Sequence, residues 1–430
     1  MKDGGRLAAA IEVLTEVETR HRPVQIALKD WGAAHRFAGS GDRTVIGNLV
    51  FDALRNKASL SARMRSDAPR ALALATYCIT WDKGVDTLVE VLDGDRHAPE
   101  ALTEGEREAL TADQVSEITP TQEADVPDWL WPKFVSAFGE NAVDEGRALA
   151  TRAPVDLRTN TLKSERDKMI KRLGHTGAVA TPHSPIGLRI EAKPGPGRMP
   201  HVQAEEGYRK GWFELQDEAS QLAAHLAQAK PGEQVLDYCA GGGGKTLAFA
   251  AAMQNKGQLY AYDADRLRLA PIHERLQRAG VRNIQVRDPA SSSLDDLVGQ
   301  MDLVFIDAPC TGTGVWRRRP DSKWRLTEKA LEERLQDQRH VLENASRYVR
   351  KGGRLAYATC SILADENQDQ IDRFLKDHPE YQPVSVRDVW EKTLTGTSAP
   401  KYVSERGDLT LTPASTQTDG FFISLLMRNV

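Results

Sequence analysis

Cysteine is scarce in this chain. There are four in 430 residues, Cys78, Cys239, Cys310 and Cys360, and no Cys-x-x-Cys pair. So few exclude a disulfide scaffold, and the missing pair argues against a structural zinc site, so no metal is expected. Long hydrophobic runs are lacking too: no stretch reaches the ~18 apolar residues of a membrane span. The opening MKDGGRLAAAIEVLTEVE is too acidic and too poor in apolar residues for a secretory signal. Neither sign of charge dominates, since 57 Lys and Arg against 61 Asp and Glu leave −4. That balance excludes a uniformly basic nucleic-acid coat but permits a local basic patch. Repeats and low-complexity segments are absent. What remains, 40% apolar and 27% charged, is the composition of a folded protein. At roughly 150 residues per domain the length suggests about three domains. The expectation is a cytoplasmic, monomeric, multidomain protein with no membrane association.

Residues 1–115 read as helical, with Leu7, Ala10, Ile11 and Leu14 and then Ile46, Leu49, Val50, Ala53 and Leu54 at helical spacing. Pro69 suits a first helical position before the Ala/Leu run 71–75. The acidic, apolar-poor Leu102–Asp125 reads as a linker. Residues 116–210 hold that linker and a small mixed domain: a helix near Trp129–Phe138, a strand in VDLRTNTL, a helix over Ser164–Leu173 and the loop KPGPGRMP. From 211 to 430, QVLDYC, QLYAYD, NIQVRD, DLVFID and GRLAYATC alternate with amphipathic stretches such as Arg266–Ala279 and Thr327–Val349, and FFISLLMR ends the chain. Such alternation predicts a mostly parallel sheet covered on both faces.

Strand QVLDYC runs into Gly241, Gly242, Gly243, Gly244, Lys245 and Thr246, followed by an Ala-rich helix. Glycines let backbone approach a ligand closely, and the helix start presents free amides. Asp263 ends the next strand, where an acid can accept bonds from a ribose hydroxyl pair. A nucleoside-containing cofactor is indicated. The GKT and VFID segments invite a phosphate-loop NTPase reading, but that pattern needs glycine where Cys239 stands. A dinucleotide pattern starting at Gly241 would need glycine where Thr246 stands.

Cys310 in DAPCTGTG and Cys360 in ATCS fall at predicted carboxyl ends of strands, the ligand-binding edge of an open parallel sheet. Carbon 5 of cytosine is a poor nucleophile until a thiolate adds to carbon 6, a case of covalent catalysis. The chemistry needs a thiolate, a carboxyl near ring N3 and a second group near carbon 5. Cys360, Asp307 and Cys310 supply that set. Methylation of an exocyclic amine would instead suggest an aromatic residue after Pro309, where this chain has Cys310.

At these motifs the sequence resembles the RsmB/Sun-type RNA (cytosine-5) methyltransferases, which use S-adenosylmethionine. The stretches that carry the resemblance are LRTNTLK, WFELQDEASQL, CAGGGGKT, YDADRLRL, DAPCTGTGVWRRRPDSKW, ATCSILADEN and TDGFF. It implies an α/β fold. A Rossmann-like methyltransferase domain (211–430) follows a small α/β RNA-recognition-like domain, and GSGDRTVIGNLVFDALRN resembles an N-terminal all-α NusB-like domain. It implies that Cys360 is the nucleophile, that Cys310 assists release of the product, and that Asp307 contacts the base. Asp263 would hold the cofactor ribose and Asp288 the adenine region. Cys239, Ala240, Gly241–Gly244 and Lys245 would wrap the methionine end, with Asp307 close by. Two departures stand out. Gly241 and Gly242 replace the family's Ala and Pro, which should leave the empty loop more flexible. Thr416 stands where the family often has histidine.

The segment TGTGVWRRRPDSKWR (311–325) carries five basic residues, one acid and two tryptophans. Basic groups can neutralise phosphates and tryptophan can stack an unpaired base. Arg317, Arg318, Arg319 and Lys323 are therefore expected to bind RNA, ribosomal by the resemblance, with Arg158 as a further contact. The alternatives are a P-loop-like NTPase and a non-catalytic RNA-binding factor on the same fold.

Overall fold

Apolar residues at helical spacing bury one face of each helix in the first of two units, which comprises Met1–Ala153, Ala192–Pro200 and Trp316–Leu326. The computed structural model describes residues 1–112 and 118–429 of the chain. Helices Asp3–Arg20, Val24–Ala34, Ser40–Arg55, Lys57–Met64, Pro69–Ala75 and Val85–Asp93 surround one core. Leu7, Ala10, Leu14, Ile46, Leu49, Val50 and Ala53 all lie in it. Pro69 occupies the start of its helix, where its missing N–H costs nothing.

The expected linker, of which 113–117 fall outside the described residues, contains a helix, Glu104–Thr111. Its Thr103 side chain accepts from the Glu106 N–H while the Glu106 carboxylate accepts from the Thr103 N–H. That reciprocal cap starts a helix in an otherwise polar stretch, and Leu110 anchors it in the core. Helices Trp131–Phe138 and Ala142–Leu149 also belong to this unit. The compact helical unit extends to Ala153, and Leu130, Phe134, Phe138, Ala142 and Leu149 continue a helical burial pattern.

The second unit comprises Pro154–Glu191, His201–Val315 and Thr327–Val430. Four short strands, β1 (Val155–Thr159), β2 (Val179–Ala180), β3 (Gly187–Ile190) and β4 (Phe213–Leu215), form an antiparallel sheet in the order β2-β3-β1-β4. Helix Arg166–Leu173 accompanies it. Asp156 of β1 and Arg189 of β3, both buried, form two 2.8 Å bonds across the sheet.

The large sheet contains β5 (Gln234–Asp237), β6 (Gln258–Ala261), β7 (Ile284–Val286), β8 (Met301–Asp307), β9 (Val349–Thr359), β10 (Tyr381–Val384), β11 (Tyr402–Val403), β12 (Leu409–Leu411) and β13 (Phe421–Arg428). The order is β7-β6-β5-β8-β9-β13-β12-β11, with β10 also on β13. The run from β7 to β9 is parallel, and β13 joins β9 antiparallel. Burial on both faces explains the near-continuous apolar strands. In β8, Leu303 and Phe305 enter one core while Val304 and Ile306 enter the other. The amphipathic stretch Arg266–Ala279 is two helices, Arg266–Leu269 and Ile272–Ala279, interrupted at Pro271, which has no N–H to continue the ladder. The stretch Thr327–Val349 is helical over Glu328–Ser346, and Val349 already belongs to β9.

Candidate active site at the carboxyl edge of the parallel strands

Because β7, β6, β5, β8 and β9 run parallel, everything that follows their carboxyl ends gathers along one edge. Asp288 follows β7, Asp263 follows β6, the glycine run follows β5, Asp307 ends β8 and Cys360 follows β9. The topology brings together residues spread over 120 positions of sequence.

The glycine loop is built and braced by side chains. Gly241 and Gly243 have φ of 49° and 82°, a region that L side chains adopt rarely. A Cβ on Gly243 would also stand 2.6 Å from Ile272. Buried Asp263 accepts the Gly241 N–H at 2.9 Å and, on its other oxygen, the Asp265 N–H at 2.8 Å. Arg275 donates to the Gly242 carbonyl at 2.5 Å and is itself held by Glu214. Beside Gly244 a Cβ would meet nothing nearer than 3.8 Å, so the start of the Gly244–Ala252 helix is open. A loop with open backbone and an acid at the neighbouring strand end fits a nucleoside-bearing cofactor. Asp288 is exposed and accepts the Ala290 N–H.

Lys245 donates to Asp307 at 2.6 Å, and its ammonium lies 5.0 Å from the Phe421 ring. The Asp307 side chain is 34% exposed, so a ligand can reach it. Behind them Asp237 is fully buried and accepts from the Thr246 hydroxyl at 2.6 Å. Burial pushes its carboxyl up to about 7, and the Asp307 charge adds to the effect. Burial likewise pushes the Cys239 thiol up.

Cys310 and Cys360 are free thiols with their sulfurs 3.3 Å apart. The hydrogen bond with Cys360, followed by burial, pushes the Cys310 thiol well above its ordinary range, so this sulfur keeps its proton at neutral pH. The two loops are laced together. Gly314 N–H donates to the Cys360 carbonyl, Thr313 and Ser361 hydroxyls meet at 2.9 Å, and Gly420 N–H donates to the Gly314 carbonyl. Gly314 has to be glycine, since a Cβ there would lie 2.2 Å from the Gly420 oxygen.

The expected RNA contacts are placed differently. Arg158 is 2% exposed and donates to the Gly244 carbonyl at 2.8 Å and to Gln216 at 2.7 Å. It braces the glycine loop from within and offers no surface to a phosphate. Lys323 is 1% exposed and donates to the Arg55 carbonyl at 3.0 Å. Arg317 is buried, and its carbonyl accepts two bonds from Arg55. Trp316 stacks on Phe134 at 5.7 Å, and Trp324 donates to the Leu54 carbonyl. Of the expected cationic contacts in this segment, Arg318 is half-buried and Arg319 exposed. A helix begun by Pro320 is packed into the helical unit, so sequence charge density overstated its exposed charge. Thr416 is buried, its hydroxyl donates to the Thr412 carbonyl and meets the Thr418 hydroxyl, and its own carbonyl lies 3.1 Å from His183 Nε2.

Two residues of the site were missed by sequence reasoning. Asp237 is hidden in the apolar-looking QVLDYC run. Glu366 is one more acid in ATCSILADEN, yet it is fully buried and bonded to the Cys310 loop. Its signal was its place six residues after Cys360 in ATCSILADEN.

Comparison with known proteins gives consistent matches. Residues 224–427 match the family described as 16S rRNA methyltransferase RsmB/F, and 126–195 match its ferredoxin-like domain. A probable ribosomal RNA small subunit methyltransferase B of Synechocystis sp. is 32% identical over 309 residues, covering 70% of this chain and 66% of the relative. The ribosomal RNA small subunit methyltransferase B of Sodalis glossinidius is 34% identical, covering 70% of this chain and 65% of the relative. The chain therefore spans just under two thirds of the length of these curated relatives. Among solved structures, a methyltransferase homolog from Pyrococcus horikoshii is 26% identical with a TM-score of 0.60, covering 72% of this chain and 97% of that one. NSun6 from Pyrococcus horikoshii, solved with SFG, shares the fold at 23% identity and a TM-score of 0.60, covering 70% of this chain and 98% of that one.

Proposed function

This chain belongs to the RsmB/F family of S-adenosylmethionine-dependent methyltransferases, and on that premise we propose that it methylates carbon 5 of a cytidine in small-subunit ribosomal RNA through a covalent cysteine adduct. One observation carries the reading: two free thiols 3.3 Å apart at the strand edge that also holds the Lys245–Asp307 pair. Methylation of an exocyclic amine has no use for two thiols.

The glycine loop, Asp263 and Asp288 hold the cofactor, which supplies an electrophilic methyl group. Cys360 adds through its sulfur to carbon 6 of the cytosine, and the ring electrons move to carbon 5. Asp307 faces the N3 side of the base, where charge changes during addition, and Lys245 fixes its orientation. After carbon 5 is methylated a base, solvent water in the open site, takes its proton, the carbon–hydrogen electrons reform the carbon 5–carbon 6 double bond, and the Cys360 sulfur departs with the electrons of the carbon–sulfur bond. Cys310 acts in this last phase, close enough to the Cys360 sulfur to assist its departure.

The test is methyl transfer from labelled S-adenosylmethionine to a small-subunit ribosomal RNA transcript, with the product located by bisulfite mapping. A labelled 5-methylcytidine that disappears with Cys360→Ala supports the reading. Label on an exocyclic amine, or none on cytidine, would overturn it.

A further inference from the structure

We propose that Glu366 is a positioning residue that sets Cys310 against Cys360. The inference deepens the proposed reaction and rests on that reading for its kinetic consequence. Glu366 is fully buried. Its Oε1 accepts the Thr311 N–H at 2.8 Å and the Gln338 amide at 2.9 Å, and its Oε2 accepts the Thr311 hydroxyl at 2.5 Å. The same Gln338 amide donates to the Pro309 carbonyl at 2.9 Å. Cys310 is thus clamped on both sides: Pro309 through Gln338 and Thr311 through the carboxyl. The Tyr357 hydroxyl in β9 donates to the Glu366 carbonyl at 2.7 Å, which ties the clamp to the strand that leads into Cys360. That bond goes to the main-chain carbonyl, but the Ser361 hydroxyl, next to Cys360, bonds the Glu366 carboxyl itself, so one carboxyl joins the loop of each cysteine.

Burial pushes the Glu366 carboxyl up, and the donors around it pull the other way. The donors, the Ser361 hydroxyl among them, need acceptors, but they do not need a full charge. Glutamine can replace the group without moving it. Its oxygen takes the place of Oε1, where two donors converge, and its NH2 faces the Thr311 hydroxyl, which rotates to accept. Alanine takes this acceptor from every one of those donors and leaves Thr311 untethered. A buried donor that loses its acceptor is costly, so the loop should shift to find water.

The experiment uses the full chain, a small-subunit ribosomal RNA transcript and S-adenosylmethionine. Glu366→Ala should lower turnover by about tenfold or more, the scale of one lost buried hydrogen bond. It should accumulate the covalent adduct expected on a denaturing gel for Cys310→Ala, while cofactor affinity stays within about twofold of the native chain. Glu366→Gln should recover most of the turnover. Thr311→Val keeps the carboxyl and removes one bond, so it should lower turnover in the same direction by less, and it decides the matter if the alanine variant does not fold.

A second readout needs no RNA: the rate at which iodoacetamide alkylates each cysteine, read by mass spectrometry. Glu366→Ala should speed Cys310 several-fold and leave Cys78 unchanged. An unchanged Cys310 rate, or a Gln variant as impaired as the Ala variant, overturns the proposal. If Cys310→Ala gives no adduct while the alkylation shift appears, the cysteine mechanism is wrong and the clamp stands.

Discussion

Replacing Arg158 by methionine separates bracing of the cofactor loop from binding of RNA. The guanidinium is 2% exposed, and burial pushes its pKa down to about 10. Holding the cation there costs about 3 kcal/mol on the scale of 1.36 kcal/mol per pH unit. Its bonds to the Gly244 carbonyl and to Gln216 return about 1.5–3 kcal/mol each. These nearly cancel, so Arg158→Met should change global stability by only about 0–3 kcal/mol, close to the range of ordinary core substitutions. The loop, however, loses its tether at the start of the Gly244–Ala252 helix. If one buried charged bond of about 1.5–3 kcal/mol is what orders that turn for the ligand, cofactor affinity falls by about 10–100-fold. Isothermal calorimetry with S-adenosylmethionine measures this directly. In parallel, the salt slope of RNA binding should equal that of the native chain, because no phosphate contact is lost. A flattened slope with unchanged cofactor affinity would refute the reasoning and return Arg158 to the RNA.

Asp263→Ala should weaken S-adenosylmethionine by about 1.5–3 kcal/mol in the same calorimeter, and unchanged affinity would remove the residue from the site. Cys360→Ala should abolish methylation and form no RNA adduct, whereas Cys310→Ala should stall as one; the opposite pattern on a denaturing gel would exchange their roles. Arg319→Ala should flatten the RNA salt slope by up to about 0.7–0.9, while Lys323→Met should leave the slope alone and lower the melting temperature. Asp237, raised by burial, binds a proton in the folded chain that the unfolded chain releases from about pH 4 upward. Native stability should therefore fall as pH rises from about 4 to 7 and level off above, a loss of up to about 4 kcal/mol. Asp237→Asn should lose less over that window in thermal melts, and parallel curves would remove Asp237 as the cause.

What the sequence made legible was what local pattern controls. The five parallel strands showed as short β-rich runs, and each run ended at a residue that could be named: Cys239, Asp263, Asp288, Asp307 or Cys360. Parallel topology then places those ends on one edge without any knowledge of side-chain packing. The phosphate-loop alternative turned on one residue, Cys239, and membership of the methyltransferase family sets it aside. Burial was not legible. Arg158, Arg317 and Lys323 look like surface cations because charge is normally exposed. Two of them find acceptors inside: the Gly244 carbonyl for Arg158, and the Arg55 carbonyl for Lys323. Lys323 and its partner stand 268 positions apart, and no local pattern reports such a pairing. The return of Ala192–Pro200 and Trp316–Leu326 to the helical unit was hidden for the same reason.

The glycine loop shows how a local weakness is offset from outside. Two glycines in place of alanine and proline raise the entropy lost when the loop orders. Yet four contacts reach it from three places: the end of β6, the helix Ile272–Ala279 and β1. Asp263 takes the Gly241 N–H, Arg275 takes the Gly242 carbonyl, Ile272 closes the space behind Gly243, and Arg158 takes the Gly244 carbonyl. Each holds one successive residue, and the polar ones use backbone groups that any side chain at 241 or 242 would leave in place. Order in this loop is thus stored in its neighbours. A stiff loop can bind its ligand without help, whereas this one depends on Arg275 and Arg158, and those two are held in turn by Glu214 and Gln216 next to β4. Order in the glycine loop is therefore a property of the contact between the small antiparallel sheet and the large parallel one.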